Sequence, residues 1–123
     1  MFDSKQPTVQ MLGRWQPWHD GHTELFKKAL EKTGQVCIMV RNVQGIDDNP
    51  FSANKVELKI RQALSTAGFT YDEDFIILTV PNIVDISYGR GVGYTFTEHD
   101  LDKDIQAISA TKIRANMRAE GKL

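Results

Sequence analysis

The sequence predicts an α/β domain, a three-layer sandwich in which a parallel sheet of about five strands carries helices on both faces. Three observations lead there. Apolar runs of strand length alternate with stretches whose apolar residues recur at helical spacing. Glycine, proline or a capping residue marks each junction, and no repeat, linker or low-complexity segment interrupts the order. Alternation of this kind implies right-handed crossovers and parallel pairing, with ligands gathering at the carboxyl ends of the strands.

The elements follow in order. Thr8 to Leu12, after Pro7, reads as a short buried strand. Thr23 to Lys32 reads as an amphipathic helix, with Leu25, Phe26, Ala29 and Leu30 on one side and Gly34 at the C-terminal cap position. Gln35 to Val40 is a second strand, too apolar for an edge exposed on both faces. Val43 to Pro50, with Gly45, Asp47, Asp48, Asn49 and Pro50, is a loop. Ser52 caps a second helix whose apolar side is Val56, Leu58, Ile60, Ala63 and Leu64, and Gly68 ends it. Phe75 to Val80 is the clearest strand, stopped by Pro81-Asn82. Ile83 to Ile86 and Tyr94 to Thr97 read as two further short extended pieces on either side of a glycine-rich loop, Tyr88 to Tyr94. Glu98 to Asp104 is a solvated acidic connection containing His99, and a last helix runs from about Thr111 to Glu120 behind a Ser109 cap.

Composition bounds the function. At 123 residues the chain reads as one domain, 1–123, able to bury a core without staples. Fifteen basic against sixteen acidic residues leave a formal charge of −1, so no global basic field points to nucleic acid. Cys37, the single cysteine, lies inside an apolar run and reads as a buried core thiol. No stretch approaches a membrane span, and the first residues lack the apolar core of a signal peptide, so the expected location is cytoplasmic.

The chemistry concentrates in Gly13-Arg14-Trp15-Gln16-Pro17-Trp18-His19-Asp20-Gly21-His22, between the first strand and the first helix. A helix start offers free N–H groups and a positive dipole end to an anion. His19 and His22 flank Gly21, which lets the backbone come close to a phosphate. Two histidines can also bind zinc, but no third ligand accompanies them at suitable spacing, so no metal is expected from protein ligands. Neutral imidazoles donating to a phosphate explain the pattern better. A second helix start, Ile108-Ser109-Ala110-Thr111-Lys112-Ile113-Arg114, places two hydroxyls and an arginine where terminal phosphates could bind.

The ten-residue stretch resembles the HxGH signature of the nucleotidyltransferase superfamily, and its fuller form is similar to the GRFQPxHxGH version of nicotinamide mononucleotide adenylyltransferases. Cytidylyltransferases tend to carry Phe-Asp where this chain has Gln16-Pro17. The later stretch, about ninety residues on, looks like the ISSTxIR motif, with Ala110 in place of the second serine. The resemblance implies a Rossmann-like fold and transfer of a nucleoside monophosphate from a triphosphate to a small phosphorylated or anionic acceptor, with release of pyrophosphate. It favours AMP over CMP. It assigns His19 and His22 to the alpha and beta phosphates and Arg14, Ser109, Thr111 and Arg114 to the beta and gamma phosphates, with Gly13 and Gly21 at the nucleotide. Mg²⁺ would be held through substrate phosphates.

Arg90, in the glycine-rich loop, is placed near phosphate, and Arg41, Asn49 and Phe51 on the acceptor side. Asn49-Pro50-Phe51-Ser52 resembles the Asn-Pro-Phe-Thr segment of archaeal-type adenylyltransferases. Two alternatives stand beside this reading: a nucleotide-binding sensor or subunit that does not catalyse, and a CTP-dependent cytidylyltransferase acting on a phosphorylated alcohol. The expected partners are the triphosphate and the acceptor, without nucleic acid or membrane. The sheet edge and helices could support a homo-oligomer.

Overall fold

A computed structural model describes residues 1–45, 49–90, 93–99 and 110–121. The order is β1 (Val9–Gly13), α1 (Asp20–Thr33), β2 (Val36–Arg41), α2 (Ala53–Thr66), β3 (Phe75–Val80) and α3 (Ala110–Ala119). The three strands form a parallel sheet in the order β1-β2-β3, with Met11, Ile38 and Ile77 in one row. This is an α/β architecture consistent with a Rossmann-like fold.

Side-chain alternation decides which face is covered. Along β2, Val36, Ile38 and Val40 are buried, while Cys37, Met39 and Arg41 are half-buried. Successive right-handed crossovers in one direction place α1 and α2 on the same face, over the buried set. Phe26 of α1 meets Phe69 and Phe75 edge-on, with ring centroids 5.0 and 5.7 Å apart. Val56, Ile60 and Leu64 form the fully buried stripe of α2. Met117 of α3 packs against the same core.

Five expectations need correction. Among the described residues the sheet has three strands, not about five, and helices cover one face, not both. Ile83 to Ile86 and Tyr94 to Thr97 join no strand. Pro81 has no N–H for a ladder, the Ile83 N–H turns back to the Pro81 carbonyl, and Val84 and Phe96 stay 81% and 67% exposed. Without a face to bury, alternation alone does not make a strand. Cys37 lies half-buried on the open face rather than in the core, with burial raising its pKa. His99 is half-buried rather than exposed.

Helix ends agree more closely. Gly34 takes the left-handed conformation at the end of α1 (φ 82°), and the Ser52 side chain accepts from Lys55 at the start of α2. The first helix begins at Asp20, three residues before Thr23, because His19 caps it. No helix among the described residues is long and apolar enough to cross a membrane.

Candidate active site

β1 delivers the chain into a non-helical turn, Arg14 to Trp18, at the carboxyl edge of the sheet. Trp15 adopts a positive φ of 52° and folds its indole back over Gly13, where a Cβ would lie 2.7 Å from the ring. The position therefore needs glycine for packing, whatever it contributes to a nucleotide. The Trp15 indole N–H donates to the Met39 carbonyl at 3.1 Å, and the Trp18 N–H donates to the Thr23 hydroxyl at 2.9 Å. Their rings lie 5.0 Å apart and wall in His22, 4.8 Å from Trp15 and 5.4 Å from Trp18.

His19 is the N-cap of α1. Its Nδ1 accepts from the Gly21 N–H at 3.1 Å, and the Nδ1 of His22 accepts from the His19 N–H at 3.1 Å. This is a capping box built from two imidazoles. An accepting Nδ1 carries no proton, so each ring is the neutral tautomer with its hydrogen on Nε2. The rings stack at 3.7 Å, 17° from parallel. Burial, and then the neighbouring His19, lower the pKa of His22 to about 3. Burial also lowers that of His19, with Asp20 opposing. Both are neutral donors near pH 7.

The helix start is less open than the sequence suggests. The His22 and Thr23 N–H groups bond to the His19 carbonyl at 2.9 and 3.2 Å, and that of Gly21 is taken by the His19 ring. What this end of α1 offers an anion is chiefly the two Nε2–H groups and the helix dipole.

The remaining residues sort by place. Arg14 is exposed, and its guanidinium donates to the Asn49 side-chain oxygen at 3.3 Å. Asn49 is itself buried, and its carbonyl accepts from the Gly45 N–H. Arg41 donates to the Asn82 side chain at 2.7 Å, joining the ends of β2 and β3. The Phe51 ring is 1% exposed and contributes to the core, with Lys55 and Lys59 over it. Arg114 is 3% exposed and donates to the Gln16 carbonyl, which brings α3 against the turn. Arg90 sits in an exposed segment. Ser109 and the Thr111 side chain lie outside the described residues.

Sequence reasoning missed Gln16 as a structural hub. Its Nε2 donates to the Phe51 carbonyl and its Oε1 accepts from the Phe51 N–H, both at 2.9 Å. The available signal was a glutamine set among Trp15, Pro17 and Trp18, where burial demands partners for the amide.

Comparison with curated proteins gives relatives that share one name. The chain is 36% identical over 74 residues to a nicotinamide-nucleotide adenylyltransferase of Ignicoccus hospitalis, covering 58% of this chain and 43% of the relative. It is 32% identical over 63 residues to one of Methanococcus aeolicus, covering 50% and 37%. A third, from Saccharolobus solfataricus, is 34% identical over 74 residues, covering 58% and 42%. The chain thus spans less than half the length of these curated relatives. No family model matches it. The resemblance to HxGH nucleotidyltransferases is supported by these named relatives over about half the chain.

Proposed function

We propose that this chain transfers AMP from ATP to nicotinamide mononucleotide, releasing pyrophosphate. The observation that carries the reading is the stacked His19–His22 pair, whose neutral rings direct Nε2–H donors from a helix N-terminus. The names of the relatives supply the acceptor.

The reaction is an in-line displacement. An oxygen of the acceptor phosphate attacks the alpha phosphorus of ATP as the bond to the bridging oxygen breaks, and that electron pair leaves with pyrophosphate. No covalent enzyme intermediate is required. His19 and His22 donate to the alpha and beta phosphates and strengthen their hold as charge develops there. Neutral rings do this without forming permanent ion pairs with the product. Arg14, exposed at the rim, serves the beta and gamma phosphates, together with Ser109 and Thr111. Arg114 supports the same end of the site through its bond to the turn. Gly21 gives its N–H to the His19 ring and so helps fix that ring's tautomer, and Arg41 and Asn49 form the acceptor side. Mg²⁺ would ride on the triphosphate oxygens and neutralise them. The His19 and His22 Nδ1 atoms are both engaged by backbone N–H groups, so these rings supply hydrogen-bond donors toward the phosphates rather than metal ligands.

The test is pyrophosphate release by the purified protein with Mg²⁺, ATP and nicotinamide mononucleotide, with CTP and a phosphorylated alcohol as the rival pair. ATP-dependent release that requires nicotinamide mononucleotide is expected. Nucleotide binding without release for any pair would favour a non-catalytic nucleotide module instead.

A further inference from the structure

We infer that Gln16 is a positioning residue for the acceptor in the transfer reaction, an inference that rests on the transferase reading above. Its carboxamide pairs with both backbone groups of Phe51, copying the two-bond exchange of an antiparallel sheet pair. Its own carbonyl takes the Arg114 guanidinium. One residue thus joins the histidine-bearing turn after β1, the segment entering α2 and the last helix. All three participants are buried: Gln16 4% exposed, Phe51 1% and Arg114 3%.

A second bridge runs beside the first. Arg14, two residues before Gln16, reaches Asn49, two residues before Phe51. The segment after β2 is therefore registered against the turn at two matched points. An acceptor must reach the alpha phosphorus from the side opposite the departing pyrophosphate. The turn after β1 holds the phosphates, so Asn49 to Phe51, tied to that turn, form the neighbouring wall at the carboxyl edge of the sheet. A shift of about 1 Å in that wall is enough to spoil an in-line approach. Gln16 acts through Phe51, beside the Arg14 bridge to Asn49, and need not touch either substrate.

Gln16→Met keeps the side-chain length and removes both bonds to Phe51. Gln16→Glu keeps an acceptor for the Phe51 N–H and places a carboxylate against the Phe51 carbonyl. In steady-state assays with ATP, nicotinamide mononucleotide and Mg²⁺, the KM for nicotinamide mononucleotide should rise by about tenfold or more while that for ATP stays within about twofold. Equal movement of both KM values, or movement of neither, in a folded variant overturns the inference. A wild-type protein that releases no pyrophosphate removes the transferase reading, and this inference with it. An active wild type whose variants keep their KM for nicotinamide mononucleotide removes this inference alone. Should both variants fail to fold, hydrogen exchange at the wild-type Phe51 amide decides: nicotinamide mononucleotide should slow it by about tenfold, and no change refutes the proposal.

Discussion

His19 and His22 stack with centroids 3.7 Å apart, and each gives its Nδ1 to a backbone N–H of the same helix start. Protonating either ring would turn an accepting nitrogen into a donor facing another donor. The pair therefore resists charging, and the low pKa of His22, about 3 against an ordinary 6.5, follows from burial between two indoles and from the neighbouring ring. In the unfolded chain both histidines take up protons near 6.5, while in the folded chain burial lowers both, His22 to about 3. Stability from His22 is fully present above pH 6.5 and drains as pH falls toward about 3. His22 contributes at most about 1.4 kcal/mol per pH unit across that window. Urea midpoints at pH 7 and pH 5 should differ more in the wild type than in His22→Gln. A variant with the same slope as the wild type would refute the account.

His22→Gln also isolates the chemistry. Glutamine is a natural third residue of a capping box, so the helix start survives the change. What it lacks is the rigid imidazole that, in the proposed mechanism, aims an Nε2–H at the phosphate. Turnover should fall by on the order of a hundredfold, the scale of losing one oxyanion donor, with nearly unchanged circular dichroism. Pyrophosphate release at the wild-type rate would show that His22 serves only as a cap.

The strands and the helix caps were legible because their causes are local. Phe75 to Val80 is β-branched and aromatic between breakers, and Gly34 and Ser52 sit where cap geometry needs them. The two histidines were legible for the same reason. Gln16 was not, since its role depends on Phe51, thirty-five residues away in sequence. The free donors expected at the start of α1 were overestimated because sequence cannot reveal that His19 consumes them. Tyr94 to Thr97 had the alternation of a strand but lacked an apolar surface to lie against.

Gly13 is a test of packing rather than of phosphate approach. A methyl group at this position would stand 2.7 Å from two atoms of the Trp15 ring, a large rigid group anchored by its bond to Met39. The indole must then shift, and with it the wall beside His22. Gly13→Ala should destabilise the fold by about 1–3 kcal/mol, the usual range for overpacking. Urea denaturation monitored by tryptophan fluorescence measures this directly, and an unchanged midpoint would show that the ring moves aside at no cost.

Arg114 separates two roles that sequence alone merges. An arginine whose only duty is to grip a phosphate would be dispensable for folding without nucleotide. This one is 3% exposed and donates to the Gln16 carbonyl, at the point where the turn is also tied to Phe51. Arg114→Met should therefore lower stability by about 1–3 kcal/mol without nucleotide, because the buried carbonyl loses a charged donor. Arg114→Lys keeps the charge and one directed donor but not the planar fork, so its loss should be smaller. Thermal unfolding of both variants without ligand is the measurement. If Arg114→Met melts with the wild type while losing activity, the tether is dispensable and the residue acts on the phosphates alone.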